Sequence, residues 1–564
     1  MGTACAGAML MRLLAPSAGT AGLLALLGYA TLASFAFFSQ KDKRLKRCFG
    51  VPGLAAAAAA ALAVRLGACG QTGWAGLGFS LLAALCLAPT AAQSFIWLRQ
   101  LIRRAQKPLA LSPKKTFVLA FAVLLVCWSP VVTALLPGVT GYDMQSQIYQ
   151  ITSGEYVNGH PIAHTLLIGL FYRLGEMIWQ SPSAGVALFT VCQALCLAAS
   201  MAYALYWLRL CGCPRAVWLT ILLVFALAPQ HAVMAASLTK DVLFAAVLMM
   251  VTVEFCRLIG EPQRAERTAV LAADALLVAA AGLLRRNMIL AFVPFAVLLV
   301  IRFRGRKWFV RLTTVALSGM LLALGSEAAL KKAVDAQDPT IRDTLAIPCQ
   351  QLARVYHLYG LDHPVGYEIR ETLPWAHEYA PERADAAKRG AKVTAEGQLL
   401  GFIKLWGREA FHYPVEYIDA WLFTNKAYWD PSDTAYAYTY DNEEFGPRGV
   451  MTVNHNPYSH LEQYDWLPRV QRLCDEWFTE SGCMKIWPVR LIIHPAVWTW
   501  LLAFGLAWAT YERRTAALAW GLPALYLCTL MLGPCALIRY CYCVMLAVPV
   551  LAGWLAASAK ERAV

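Results

Sequence analysis

An all-α polytopic membrane protein is the fold class this sequence predicts, and three observations predict it. Hydrophobic residues make up 59% of the 564 residues, and the mean hydropathy is +0.50. Apolar runs recur along the chain, most of them roughly 17–25 residues long, enough to cross about 30 Å of hydrocarbon as a helix. Between the runs, Lys and Arg gather in clusters, as they do in loops retained on the cytoplasmic side.

The first run, 14–38, is too long and too poor in flanking charge for a typical cleaved leader, and reads as a retained first span. Five cations follow within 41–47. Runs at 51–66 and 74–98 complete three spans in residues 1–115; the alanine-rich stretch 55–61 carries no evident chemistry. Runs at 116–136, 184–208, 216–229 (a short one), 242–259, 269–284, 289–301 and 312–330 form a seven-span module over 116–330. A polar block, 331–490, precedes three last runs at 491–510, 516–532 and 541–557, within residues 491–564. The expectation is about thirteen spans.

With that number, the basic clusters at 41–47, 99–115, 209–215, 257–267, 302–311, 513–514 and 560–562 all fall on one side. That side is expected to be cytoplasmic, with the N-terminus and the 331–490 block outside a plasma membrane and the C-terminus inside. Arg12 alone argues for the opposite start. The stretch 161–180 is apolar enough to be mistaken for a span, but it carries His164, Arg173 and Glu176. If it crossed, 302–311 would lie outside, so it is expected to be an amphipathic helix in the outer interface, after an outer loop at 137–160.

The block 331–490 holds 23 acidic against 17 basic residues, whereas the remaining chain holds 12 against 32. The net charge of +14 is therefore mainly topological, and nucleic acid is not an expected partner. The block is long enough for a compact, mixed or α-rich extracytoplasmic domain. It contains Cys349, Cys474 and Cys483, of which the last two would close a short loop if oxidised. The other cysteines lie mostly in spans and read as small packing residues.

Charge at membrane depth is costly, so the few carboxylates outside the block are informative. Asp42, Glu261, Glu266, Glu512 and Glu561 are expected on cytoplasmic turns and Glu254 close to that side; Glu327 flanks the outer domain and Asp274 falls within the eighth span. Asp143 and Asp241 are the pair that separate loops can bring together at the outer surface, and are the catalytic candidates. The loop around Asp143, 137–165, has no Lys or Arg but carries Tyr142, Gln147, Asn158, His160 and His164. Groups of this kind bind hydroxyls, as in a sugar or polyol site, although loops also carry polar residues for solubility. His160 and His164 are four apart with Pro161 between them, which fits a hydrogen-bonded pair better than metal ligands. At 237–241, Thr239 and Asp241 read equally as a helix cap with a dipole-matched acid, or as part of a site. Lys240, Arg285, Arg286 and Arg539 oppose the retention rule on the outer side, and either bind phosphate or reach out to headgroups.

Taken together, this order of elements resembles the C-type membrane glycosyltransferase superfamily. More closely, Gly141-Tyr-Asp143, His160-Pro-x-x-His-Thr165, Thr239-Lys-Asp241, Ile347-Pro-Cys-Gln-Gln-Leu-Ala353 and Arg539-Tyr540 resemble an uncharacterised bacterial family of multi-pass, glycosyltransferase-like proteins. The resemblance implies an inverting transfer at the outer face, from a polyprenyl-phosphate sugar donor to a glycan, lipid or protein acceptor of the cell envelope. Asp143 would be the general base or acceptor-orienting group, and Asp241 would bind a donor hydroxyl or a divalent cation (magnesium or manganese). Lys240, Arg285, Arg286 and Arg539 would stabilise the departing phosphate. The second acidic loop lacks a clear Asp-x-Asp, which weakens the expectation of a metal. The rival readings are a transporter or lipid flippase, to which Asp274 would be central, and a non-enzymatic assembly protein of the envelope.

Overall fold

A computed structural model describes residues 20–64, 74–105, 107–140, 142–305, 309–432, 461–477, 486–512 and 515–558. Each apolar run coincides with helix over its described residues, and the β-structure noted among these residues is a few isolated bridges. In chain order the helices are α1 (Thr20–Ser39), α2 (Lys43–Val64), α3 (Trp74–Arg104), α4 (Pro113–Ala134), α5 (Tyr142–Ser153), α6 (Ile162–Trp179), α7 (Pro182–Leu210), α8 (Arg215–Leu227), α9 (Pro229–Ala236), α10 (Lys240–Gly260), α11 (Thr268–Leu284), α12 (Asn287–Phe303) and α13 (Phe309–Ala333). The polar block supplies α14 (Ala346–Tyr359), α15 (Pro364–Thr372), α16 (Asp385–Lys388), α17 (Gln398–His412), α18 (Pro414–Thr424), α19 (Lys426–Trp429) and α20 (Pro468–Trp477). Last come α21 (Trp487–Ile493), α22 (Pro495–Glu512), α23 (Ala516–Leu530) and α24 (Ile538–Ser558).

Among the described residues, seven helices are long and apolar enough to cross a membrane, or nine if two bent pairs each make one span. The chain is a multi-pass membrane protein. Proline explains both bends, because it lacks an N–H and crowds the carbonyl four residues back. At Pro229, α8 and α9 meet at 50°; at Pro495, α21 and α22 meet at 66°. The short run 216–229 thus gains length by continuing as α9.

Two compact units make up the chain. The first comprises residues 1–101, 340–433 and 531–536. In it, Ala57 and Ala61 of α2 pack against Ala83, Ala84 and Leu87 of α3. A Cβ at Gly53 would come within 2.7 Å of Ala92, so the alanine-rich stretch serves close helix packing. Residues 340–433 enclose their own core of Cys349, Leu352, Val355, Ile369, Phe402 and Leu405. The segment 347–353 braces this core: Gln351 accepts from Trp406 Nε1 at 2.8 Å and donates to the Tyr417 carbonyl at 3.2 Å. Cys349 is buried there as a free thiol. Cys483 lies outside the described residues, and with it any pairing to Cys474.

The second unit comprises residues 102–339, 434–530 and 537–564. Helix α10 packs on α7, α11 and α24, α11 on α13, and α12 on α23. Helix α6 lies against α7 so closely that a Cβ at Gly185 would run into the Phe171 carbonyl. It buries Ile168 and Tyr172 and exposes Leu170, Met177, Ile178 and Trp179. On its exposed side this helix also carries the Arg173–Glu176 ion pair, at 2.8 Å.

Candidate functional site

Asp143 and Lys240 lie far apart in sequence, and backbone pairing brings their segments together. Val139 N–H donates to the Ala236 carbonyl and Leu238 N–H to the Val139 carbonyl, both at 2.9 Å. Gln193, buried on α7, fastens the second strand of this bridge by donating to the carbonyls of Ala235 (3.2 Å) and Ser237 (2.8 Å). Gly138 permits the close approach: its φ is +146°, and a Cβ would meet Leu238 at 2.6 Å. The chain then enters α5 with Asp143 in its first turn, beside the first residue of α10.

A charge network results. Lys240 Nζ donates to Asp143 Oδ2 at 2.5 Å, and Arg539 Nη1 donates to the same oxygen at 2.9 Å. Arg539 Nη1 also lies 3.7 Å from Asp241 Oδ2, so one guanidinium joins the two carboxylates. Arg285 Nε donates to the other oxygen of Asp241 at 2.8 Å. Thr239 is the N-cap of α10, accepting from Asp241 N–H at 3.4 Å, and its hydroxyl donates to Asp241 Oδ2 at 3.1 Å. The helix-cap and site readings of 237–241 are therefore not exclusive. Both guanidiniums lie over Tyr540, with centroid distances of 4.5 Å for Arg285 and 4.8 Å for Arg539.

Exposure separates the roles. The Asp241 side chain is 1% exposed and that of Arg285 8%, whereas those of Lys240, Asp143, Arg539 and His160 reach 12%, 16%, 20% and 23%. Asp241 and Arg285 are thus the deeply buried pair, and the other four side chains are partly exposed. His160 Nδ1 is 3.4 Å from Lys240 Nζ and 3.9 Å from Asp143 Oδ2.

Other sequence candidates gather in two neighbouring clusters. Arg286 Nε pairs with Glu327 at 2.5 Å, and its Nη2 donates to the Asn158 carbonyl at 2.5 Å. Asn158 Nδ2 donates to Glu327 at 3.4 Å, and Asn158 N–H to the Gln337 carbonyl at 2.7 Å. This cluster ties the outer loop to the end of α13. Gln147, His164 and Thr165 form the second, fully buried cluster; Gln147 Nε2 lies 3.0 Å from His164 Nδ1 and 2.9 Å from Thr165 Oγ1. Gly141 and the Tyr142 side chain lie outside the described residues.

Electrostatics follow from burial and neighbours. Burial opposes ionisation of Asp143, but Arg539, Lys240 and His160 outweigh it and hold the carboxyl well below the usual carboxylate range. Burial, with Lys240 and Arg539 nearby, pushes His160 down to about 4 against the pull of Asp143, so its ring is neutral at neutral pH. Burial likewise lowers His164 to about 3. Three cations thus face two carboxylates, leaving one surplus positive charge. Such a site suits an anion and hydroxyls. It does not suit a divalent cation, because both carboxylates already face Lys240, Arg285 and Arg539. No group of three or more metal-type ligands occurs among the described residues.

Sequence reasoning named Tyr540 only as the neighbour of Arg539, left Thr239 between helix cap and site, and left Glu327 as a flank of the outer domain. Tyr540 had a signal in its place beside Arg539; the partner of Glu327 is visible only in three dimensions.

No curated protein and no solved structure matches this chain. A family model matches residues 152–564, and so spans Lys240, Asp241, Arg285 and Arg539, while Asp143 precedes the matched region. The chain belongs to DUF6020, a family of unknown function.

Proposed function

We propose that this protein is an inverting glycosyltransferase of the C type, moving a sugar from a polyprenyl-phosphate carrier to a cell-envelope acceptor at the outer face of the plasma membrane. The observation that carries the proposal is the joining of Asp143 to Asp241 through Arg539, with Lys240 and Arg285 adding positive charge. The site lies at the ends of α10, α11 and α24 opposite to the ends bearing Arg257 and Arg264, which supports an extracytoplasmic site under the retention rule. On this reading about thirteen spans cross, the N-terminus and the polar block lie outside, and the C-terminus lies inside.

In the reaction, the acceptor oxygen forms a bond to the anomeric carbon while the bond from that carbon to the phosphate oxygen breaks. The electron pair leaves on the phosphate, and the acceptor proton passes to Asp143. A carboxylate clamped by two cations is a weak base, so the donor has a second task. When its phosphate draws Lys240 and Arg539 towards itself, Asp143 loses their stabilisation and its proton affinity rises. Arg539 and Lys240 then face the charge that develops on the leaving group. Asp241, deeply buried, orients Arg285 and Arg539. The test is release of polyprenyl phosphate by purified protein in lipid from a panel of polyprenyl-phosphate sugars, with and without divalent ions, and its loss in Asp143→Asn with folding intact. Equal release by that variant would remove Asp143 from the chemistry.

One observation favours transport instead. Asp274 on α11 is buried, its Oδ2 has no hydrogen-bond partner, and it lines a small recess with Val251, Glu254, Phe255, Leu258, Leu277 and Val278. Ion or proton flux in sealed vesicles that disappears in Asp274→Asn, without donor turnover, would establish that reading.

A further inference from the structure

Helix α17 of the first unit has two apolar faces. One buries Phe402 and Leu405 in the core of residues 340–433. The other exposes Leu400 (57%), Ile403 (47%) and Phe411 (88%). With Gly407, these residues recur at spacings of three and four and form one stripe along the helix, roughly 16 Å long at 1.5 Å per residue. Lys404 and Arg408 lie beside the stripe on the solvent side and are exposed. Lys404 makes no ion pair among the described residues, whereas Arg408 is held by two carboxylates, Glu368 of α15 and its neighbour Glu409; Tyr367, beside Glu368, is 67% exposed. A stripe of aliphatic and aromatic side chains, edged by cations and a tyrosine, is the composition of a helix lying in a bilayer surface. The compact unit that contains α17 also contains α2 and α3, both apolar enough to span, so a membrane adjoins this unit by construction.

We propose that α17 lies in the surface of the bilayer, with Leu400, Ile403 and Phe411 among the acyl chains and Lys404 at headgroup phosphates. Lys404 favours anionic lipid, a single cation strengthening attachment about five-fold at low salt. The inference is independent of any catalytic role for Asp143.

The test uses the whole wild-type chain, reconstituted in vesicles of phosphatidylcholine and phosphatidylglycerol that contain a phosphatidylcholine with an acyl-chain diazirine. After irradiation, lipid adducts are mapped by peptide mass spectrometry. Adducts on the 398–412 peptide, at a yield comparable to those around exposed Leu81, Leu82 and Leu85 of α3, are expected. Lys404→Gln should lower the α17 yield about five-fold in the anionic vesicles and leave it unchanged in pure phosphatidylcholine. Adducts on α3 with none on α17 would overturn the proposal, as would protein crosslinks in place of lipid when a photoreactive residue replaces Phe411.

Discussion

The two ends of the α10–α11 pair carry clusters of similar composition that are built differently. At the end bearing Lys240 and Arg285, three cations meet two carboxylates, and both carboxylates are bonded. At the end bearing Arg257 and Arg264, two arginines meet Glu254 and Asp274. Glu254 takes both arginines and also accepts from Tyr203 at 2.9 Å, while Asp274 Oδ2 is buried without a hydrogen-bond partner. The first end has positive charge to spare for an anion. The second is balanced in number but unevenly paired, and its charges fit a structural lock with one carboxyl left over. A functional reading therefore belongs first to the Asp143 end.

Four substitutions or conditions break or sharpen that contrast. Asp143→Asn should lower polyprenyl-phosphate release by about a hundred- to ten-thousand-fold, the range expected for removing a general base, when measured on protein that remains folded in lipid. Arg539→Ala leaves Asp143 and Asp241 without their shared cation, and should lower unfolding stability by about 3–5 kcal/mol. Arg539→Lys, unable to span both carboxylates in the same way, should recover only part of that loss in thermal unfolding. At the opposite end, Asp274→Asn should change donor turnover by less than about three-fold, because Asp274 lies beside Glu254, away from the Asp143 cluster, and distant sites are independent to within about 0.5 kcal/mol. A complete loss of turnover there would erase the distinction between the ends.

The smallest effect is on pH dependence. His160 and His164 have folded values of about 4 and about 3, below the ordinary 6.5. Their neutral forms are favoured by folding, so the contribution is present above 6.5 and is lost as pH falls from there through the folded values. The midpoint of thermal unfolding should fall by a few degrees between about pH 7 and pH 5, and His160→Gln should flatten that slope. A midpoint independent of pH over this interval would show that neither ring is held neutral by the fold.

Much of this was legible in the residues. The helical class and the apolar runs follow from hydropathy, and the cost of charge near lipid singled out Asp143 and Asp241 among the carboxylates. Lys240 and Arg539 stood out as cations apart from the basic clusters. The division of labour did not follow. Asn158 and Arg286 join Glu327, and Gln147 turns inwards to His164, because helix rotation and loop register decide which face a side chain meets. The motif 347–353, which carries part of the family resemblance, serves as framework, since Gln351 satisfies Trp406 and Tyr417 inside a packed core.

By itself the sequence determined that this is a multi-pass helical membrane protein, because only helices of such length satisfy their backbone polar groups in lipid. It also determined which charged residues are exceptional there. The tertiary structure alone decided that Arg539 bridges Asp143 and Asp241, that Asp241 is buried while Asp143 is partly exposed, and that Asp274 has no such partner. These are matters of ångström-scale contact between segments hundreds of residues apart, and hydropathy, which senses only whether a segment prefers lipid, carries no information about them.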